Sequence, residues 1–386
     1  MKILSYSEIG KAEWENLILT SLTGTWFQSP EAYEFYASMP ELFRPFVVGI
    51  TRDAKHLDAE RLDPADLELR TRLRGVCVGY ITVEKSAFKQ MMTRRAIIVG
   101  GPCLADDCSD DEVTELMMAV RKALMNEPLH SMSRDKSLNE PRSLNDRPIY
   151  IESRNFNDYS RWKSAFEKAG FEYVPHLNFH VDTSSVEVVD ANLGKSRKRD
   201  IRTTIREGVS VIEHPTDEQV CEYYKVLDNL YRTKVKTPLF PLSFFLALNK
   251  HKDGRLLLIE YQGRIIGGTV CVVFNRDKFE TINHKFETTT HPSVVYEWFV
   301  CGEDGVYPHV FPSSYATYAG IKYAAEHGCA RFDMMGAGKP DEAYGVRDFK
   351  AKFGGTEVEH GRFLCVTKPM LYKIGALGVK LLKRLK

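Results

Sequence analysis

Apolar and polar residues follow two periods along this chain, one typical of strands and one typical of helices. In the first half, short apolar runs at residues 46–50, 75–83 and 95–99 predict buried strands. Residues 111–125 follow with helical spacing and an acidic start, which suits the positive end of a helix. The order predicts a mixed α/β (α+β) protein.

A helix that ends in glycine and leads into a strand is predicted once in each half of the chain. The first such pair covers residues 162–174, and the second covers residues 319–334. Each half also has an apolar strand interrupted by glycine, which indicates close approach of a neighbouring backbone. We therefore predict two copies of one unit, at residues 1–182 and 183–369, followed by a helix at residues 370–386.

Charge is balanced over the 386 residues, with 53 Lys and Arg against 52 Asp and Glu. This balance excludes a protein that coats nucleic acid with its whole surface, although it permits a local basic site. Eight cysteines without a C-x-x-C pair are typical of free thiols, and we predict no metal site. Since no signal peptide or membrane span is recognisable, we predict a cytoplasmic protein.

The densest run of charge covers residues 194–208. On a helix, its cations at spacings of four, three and four fall on one face, with Lys198 beside them. Guanidinium groups match phosphate oxygens, so this face is a candidate site for phosphate groups, and a solvated helix face is the alternative. The cations of that face are Lys195, Arg199, Arg202 and Arg206.

A glycine-rich turn follows the last predicted strand and leads into aromatic and cationic residues. Such a turn brings backbone amides and an ammonium group close to a carbonyl or a phosphate. It is not a P-loop, because the Gly-x-x-x-x-Gly-Lys-Ser/Thr pattern is absent. Taken alone, a lysine such as Lys350 is more often a surface lysine than a catalytic one. The candidate residues are Gly336, Tyr344, Arg347, Phe349 and Lys350.

His176, Asn178 and His180 alternate along one predicted strand and share a face. A metal site needs a third ligand that the sequence does not offer, so packing or hydrogen bonding is the favoured interpretation. Serine hydrolases and zincins lose support because neither Gly-x-Ser-x-Gly nor His-Glu-x-x-His occurs.

From Asn178 onward the sequence resembles the Fem family of peptidoglycan aminoacyltransferases. The similarity is carried by residues 179–183, 193–208, 230–232, 263–268, 312–328 and 332–333, and above all by Phe-Lys-Ala-Lys-Phe-Gly-Gly at 349–355. Gly101 and Pro102 are similar to a turn in the family's first unit. The resemblance implies two tandem GNAT-like units, each with a mixed central sheet flanked by helices.

The family transfers an aminoacyl group from aminoacyl-tRNA to an amine of a muramyl peptide precursor, without a metal or another cofactor. The resemblance therefore implies tRNA and a cell-wall precursor, or another amine acceptor, as partners. It implies that Lys350 stabilises charge on the acyl carbonyl and that Arg232, after the helix at residues 217–231, holds the precursor's phosphates. Lys198, Arg199 and Arg202 would then suit tRNA or a pyrophosphate. Further candidate substrate-binding residues are those of the glycine-rich segment, Gly336, Tyr344, Arg347 and Phe349.

The sequence departs from the family in two places. The long charged helical arm of some members is missing, and the Lys and Trp that follow residues 26–30 in precursor-binding members are not recognisable. An acyl-CoA-dependent N-acyltransferase of the same fold, acting on a small amine or cell-envelope substrate, is the alternative. Its donor would be acetyl-CoA or another acyl-CoA. The nearest match to a CoA pyrophosphate motif is residues 264–269, which end in Thr and run into strand-like sequence.

Residues 370–386 combine helical apolar spacing with basic residues. The pattern suits either a helix that docks on the protein or a peripheral contact with the anionic inner face of a membrane. Its apolar positions are Leu371, Ile374, Val379, Leu381, Leu382 and Leu385, and its basic ones are Lys373, Lys380, Lys383, Arg384 and Lys386.

Overall fold

The computed structural model describes residues 1–52, 72–84, 93–125, 147–276 and 291–384. Contacts divide the chain into unit 1, Met1–Pro175 with His360–Lys386, and unit 2, His176–Glu359. Within the described ranges, no helix is both long and apolar enough to cross a membrane. The polar stretches at residues 52–74 and 126–147, whose composition predicts surface loops, lie mostly outside the described residues.

The strands, in chain order, are β1 Lys2–Leu4, β2 Phe43–Thr51, β3 Leu73–Thr82, β4 Ala96–Gly100, β5 Cys103–Leu104, β6 Tyr150–Asn155, β7 Glu172–Val174, β8 Leu177–Asp182, β9 Ser210–Ile212, β10 Gly254–Tyr261, β11 Arg264–Phe274, β12 Val294–Gly302, β13 Arg331–Asp333, β14 Thr356–Glu359 and β15 Arg362–Val366. The α-helices are α1 Lys11–Thr20, α2 Pro30–Ala37, α3 Asp110–Met125, α4 Lys163–Lys168, α5 Val186–Asn192, α6 Lys195–Arg206, α7 Asp217–Leu230, α8 Leu242–Lys250, α9 Pro312–Glu326, α10 Gly345–Ala351 and α11 Pro369–Arg384.

Each unit has one mixed sheet built to the same plan. In unit 1 the order is β1-β2-β3-β4-β6-β15-β7, with β5 also paired to β3. In unit 2 the order is β14-β8-β13-β12-β11-β10-β9. The pairs β4–β6 and β12–β13 are parallel, and the other described pairs are antiparallel. The predicted duplication of one mixed α/β unit is therefore confirmed.

The unit boundaries differ from the predicted division at residues 182 and 183. Strand β8 pairs with β13 and β14 in the sheet of unit 2, although it directly follows β7 of unit 1 along the chain. Strand β15 pairs with β6 and β7 in unit 1, although it directly follows β14. Each sheet thus receives one strand from the stretch of sequence assigned to the other unit, and helix α11 belongs to unit 1.

Local sequence explains most of the elements. Helix α7 begins with a capping box between Thr216 and Gln219, and α9 begins two turns before the predicted residue 319 because Pro312 suits a first helical position. Gly267 in β11 lies against the neighbouring strand, where an added Cβ would lie 2.6 Å from the Cys301 carbonyl oxygen. The glycine there is needed for close backbone approach, as predicted.

Apolar side chains form a core cluster in each unit. In unit 1 the core lies between the sheet and helices α3 and α4, and includes Leu116, Val120 and Phe166. In unit 2 it lies between the sheet and helix α9, and includes Ile266, Ile321 and Phe332. These cores fix the strands whose ends carry the polar residues described next.

Candidate active site

The parallel strands β12 and β13 separate early in unit 2. They pair only from Val294 to Tyr296 against Arg331 to Asp333. Strand β12 continues to Gly302, whereas the chain after Asp333 turns away with positive φ angles of 50° at Met335 and 103° at Gly336. A polar site lies at this separation.

Strand β8 fixes the turn that follows β13. The Met334 amide donates to the Phe179 carbonyl at 3.0 Å, and the Ala337 amide donates to the Leu177 carbonyl at 2.7 Å. The Asn178 side chain accepts from the Gly336 amide and donates to Asp333, each at 2.8 Å. The carbonyl groups of the turn are therefore held in a defined direction.

Lys350, on helix α10, places its ammonium group inside this turn. The side chain is buried, with 6% of the residue exposed, and Nζ donates to the carbonyl oxygens of Met334 and Gly336, the latter at 2.7 Å. An ammonium has three hydrogens, so two are used by these carbonyls and one remains for another acceptor. Burial lowers the pKa of Lys350, and nearby Glu297 and Asp333 oppose that shift.

Two buried carboxyl groups lie near this ammonium, and their pKa values move in opposite directions. Burial alone would raise the pKa of Asp333, but His180, whose Nε2 lies 3.1 Å from Oδ2, and hydrogen-bond donors bring it below its ordinary value. Burial raises the pKa of Glu297 on β12, and Lys350 only partly offsets this. The site thus favours the ionised form of Asp333 and disfavours that of Glu297, relative to the free side chains.

Helix α6 holds helix α10 in place. Arg197 is buried, donates to the Ser314 hydroxyl, and stacks with its guanidinium carbon 4.5 Å from the Phe349 ring and 4.9 Å from the Phe353 ring. The Gly194 amide donates to the Lys352 carbonyl at 3.0 Å. Because Phe349, Lys352 and Phe353 flank Lys350 along the chain, these contacts set the position of the ammonium.

The other predicted residues of the glycine-rich turn lie around Lys350. Arg347 donates to the carbonyl groups of Ala337, Lys339 and Pro340. Because its three nitrogens all make these bonds, it supports the turn, and its guanidinium is not wholly available to a ligand. The Tyr344 ring packs beside Gly338, where an added Cβ would lie 2.8 Å from it, and the side chain is partly exposed.

The predicted cationic face of α6 is exposed, on the side of the helix opposite Arg197. Lys195, Arg199, Arg202 and Arg206 all lie at the surface. Arg199 is 3.3 Å from an Asp200 oxygen, and Lys198 donates to the Ala191 carbonyl at 3.2 Å. Helix α6 therefore carries exposed cations on one face. Its other face carries Arg197, whose contacts position Lys350.

Arg232 lies in a π-helical turn, Tyr231–Val235, that extends α7. Its side chain is 78% exposed and pairs with Asp228 at 3.6 Å. Among the described residues, no hydrogen bond joins it to the Lys350 cluster. Its neighbour Tyr231 packs 6.3 Å from the Phe299 ring of β12 and lies close enough to Tyr344 for their ionisations to interact.

Sequence reasoning gave no role in this site to Asp333, Glu297 or Arg197. It also did not pair His180 with Asp333. Hydrogen bonding as the role of Asn178 agrees with the prediction. A charged residue at an otherwise apolar strand position, as at Glu297 and Asp333, is the signal that points to such a site.

Comparisons with known proteins give one family match and several similar solved structures. The FemAB family model matches residues 289–380, which include β12, β13 and Lys350. The crystal structure of FemX aligns with a TM-score of 0.61 at 12% identity, covering 97% of this chain and 99% of that one. The comparison with curated protein sequences gave no match.

Two further solved structures are similar. The C-terminal DUF2156 domain of a putative lysylphosphatidylglycerol synthetase from Agrobacterium fabrum aligns with a TM-score of 0.51 at 11% identity, covering 96% and 95% of the two chains. A tandem GNAT protein from the clavulanic acid biosynthesis pathway aligns with a TM-score of 0.49 at 10% identity, covering 94% and 97%.

The fold shared with FemX and the family match across the Lys350 region together support an acyltransferase. The predicted fold class of two tandem GNAT-like units is confirmed. The resemblance to the Fem family that the sequence indicates is supported, because the chain is similar to the FemAB family over residues 289–380 and shares the fold of FemX.

Proposed function

We propose that this protein transfers an aminoacyl group from aminoacyl-tRNA to an amine of a peptidoglycan precursor. The observation that carries the proposal is the Lys350 ammonium, buried where β12 and β13 separate and bound to two backbone carbonyls. Its remaining hydrogen is available to an acyl oxygen.

The reaction needs little beyond positioning and charge stabilisation. The acceptor amine attacks the ester carbonyl of the donor, so a C–N bond forms and negative charge develops on the carbonyl oxygen. Lys350 donates a hydrogen bond to that oxyanion in a buried site, where such an interaction is strongest. The C–O bond to the tRNA ribose then breaks, and the proton lost by the amine passes to the leaving oxygen or to solvent.

The exposed cations supply candidate contacts to phosphate groups. In the proposal, Lys198, Arg199 and Arg202 on α6 hold phosphates of the tRNA, and Arg232 holds those of the precursor. Exposed arginines can exchange their weak intramolecular pairs for phosphate because guanidinium binds phosphate in a two-pronged geometry. Donor binding should therefore weaken as salt concentration rises.

Two observations favour this donor over acyl-CoA. Residues 264–269 lie within strand β11 and do not form a loop before a helix. At the start of α9, which follows β12, Pro312 has no amide hydrogen and the Ser313 amide donates to the Asp304 carboxylate at 3.1 Å. A carboxylate at a helix N-terminus occupies the place that a pyrophosphate would need.

The test is a transfer assay with defined donors. The purified protein is incubated with a soluble muramyl peptide precursor and either a mixture of aminoacyl-tRNAs or acetyl-CoA, and the products are weighed by mass spectrometry. A gain of one amino-acid residue from the tRNA mixture is expected. Acetylation with no aminoacyl transfer would instead establish the acyl-CoA alternative.

The role of Lys350 is tested in the same assay. Lys350→Ala and the similarly sized Lys350→Met should lower kcat about 10²–10³-fold, the usual loss for one oxyanion donor. The matched control is Lys352→Ala, because Lys352 is an exposed lysine two residues away. Unchanged turnover in a variant whose circular dichroism spectrum is native would contradict the assignment.

A further inference from the structure

Helix α11 carries three apolar side chains that face solvent. Met370, Ile374 and Leu377 are 80%, 52% and 59% exposed. Their spacing of four and three residues places them along one face of the helix. Single exposed apolar residues are common, but a continuous row of them marks a surface that binds something.

The opposite side of α11 is already docked on unit 1. The amides of Thr367 and Lys368 both donate to the Ile149 carbonyl at 3.0 Å just before the helix begins. The Tyr372 ring then packs edge-to-face against Tyr150, with the ring centroids 5.6 Å apart. Since Tyr372 lies about half a turn from the exposed row, this docking fixes the helix and leaves the row uncovered.

Charge along this segment is of one sign. From residue 369 to the last residue the sequence holds five Lys or Arg residues and no Asp or Glu. Lys373 is exposed and lies beside the apolar row. A surface that combines apolar side chains with cations matches lipid headgroups that carry negative charge above an apolar interior.

We propose that helix α11 binds the surface of an anionic phospholipid bilayer, with Met370, Ile374 and Leu377 inserted among the headgroups. A second copy of the chain fits less well, because it would bring two wholly cationic segments together. RNA would use the cations but leave the apolar row in water. This inference does not depend on the proposed reaction.

The experiment is co-sedimentation of the full-length protein with phospholipid vesicles. Vesicles of phosphatidylglycerol and phosphatidylcholine in equal parts should bind the protein, and vesicles of phosphatidylcholine alone should bind far less. Binding should weaken as salt is raised, because added ions screen the attraction. The triple variant Met370→Ser, Ile374→Ser, Leu377→Ser should bind at least about tenfold more weakly, since three buried apolar side chains are lost.

A matched control is the double variant Leu22→Ser, Val306→Ser, which removes exposed apolar side chains elsewhere and should bind as the parent does. Lys373→Glu should weaken binding to anionic vesicles only. Equal binding by the triple variant, or equal binding to neutral and anionic vesicles, overturns the proposal. So does a parent protein that binds no vesicles but forms a dimer that the triple variant loses.

Discussion

The two units use the same sheet order but differ where their parallel strands end. In unit 1, β4 and β6 stay paired through Gly100 and Asn155, and the Tyr159 hydroxyl then donates to the carbonyls of Gly100 and Pro102. In unit 2, β12 and β13 separate after three pairs, and Lys350 occupies the turn beyond them. Beyond the parallel strands, unit 1 thus has the hydroxyl of Tyr159, and unit 2 has the ammonium group of Lys350.

Under the proposed function, this difference concentrates the chemistry in one copy of a duplicated fold. Tyr159 satisfies the carbonyl groups of unit 1 with a neutral hydroxyl, and the unit gains stability there. Lys350 satisfies carbonyl groups of the turn after β13 in unit 2, and one of its hydrogens remains for another acceptor. Burying a charge is costly, which makes Lys350 a candidate functional residue.

The largest expected effect on stability concerns two glycines, Gly101 after β4 and Gly336 after β13, which differ in the room left for a side chain. Gly101 has a φ angle of 80°, and an added Cβ would lie 2.5 Å from the Tyr159 oxygen. Gly336 has a φ angle of 103°, but its nearest neighbour, His176 Nε2, would be 3.4 Å away. We expect Gly101→Ala to cost about 3 kcal/mol, from backbone strain plus overpacking, and Gly336→Ala about 1 kcal/mol, from strain alone. Urea unfolding measures the free energy of unfolding of both variants. Equal costs would show that Tyr159 does not restrict the space beside Gly101.

A second prediction uses the buried carboxyl groups, whose effects on stability should have opposite signs. In unit 1, burial would raise the pKa of Glu152, but Arg154 and Arg362 hold it at about 2, below an ordinary value of 4.5. Its stabilisation is thus fully present above about pH 4.5 and lost as the pH falls towards 2. Glu152→Gln should therefore cost about 2 kcal/mol at neutral pH and little in strong acid.

Glu297 in unit 2 has a raised pKa, so it stabilises the fold only while protonated and costs stability as the pH rises above its unfolded value. Glu297→Gln should stabilise the protein at neutral pH, and the gain should shrink in acid. Thermal unfolding from pH 3 to 8 measures both variants. If both variants lose stability at neutral pH, the Glu297 carboxylate must have a stabilising partner, as that of Glu152 does.

The smallest expected effect separates the two faces of helix α6. Arg197→Met removes the buried guanidinium that stacks on Phe349, and we expect about 1.5 kcal/mol of lost stability with a lower kcat and little change in KM. Arg199→Met removes an exposed cation and should leave the melting temperature unchanged while weakening donor binding. If both variants behave alike in melting and in donor affinity, α6 does not divide its roles in this way.

Much of the fold follows from local sequence. Helix α3 begins within one residue of its predicted start, and the exposed cations of α6 follow from helical spacing alone. The Phe-Lys segment also pointed to Lys350. The environment of Lys350 did not follow, because Asp333, Glu297 and Asn178 are distant from it along the chain and meet it only through the sheet.

The sequence by itself determined the periodic elements, the duplication and the cationic surfaces, since each depends on residues a few positions apart. Only the tertiary structure decided that β8 and β15 pair in the opposite sheets, because strand partners are chosen by long-range packing and hydrogen bonding. The same holds for the burial of Lys350, which local sequence spacing does not reveal. Its burial comes from the separation of β12 and β13 and from the Arg197 stack, and both form only when the whole of unit 2 has folded.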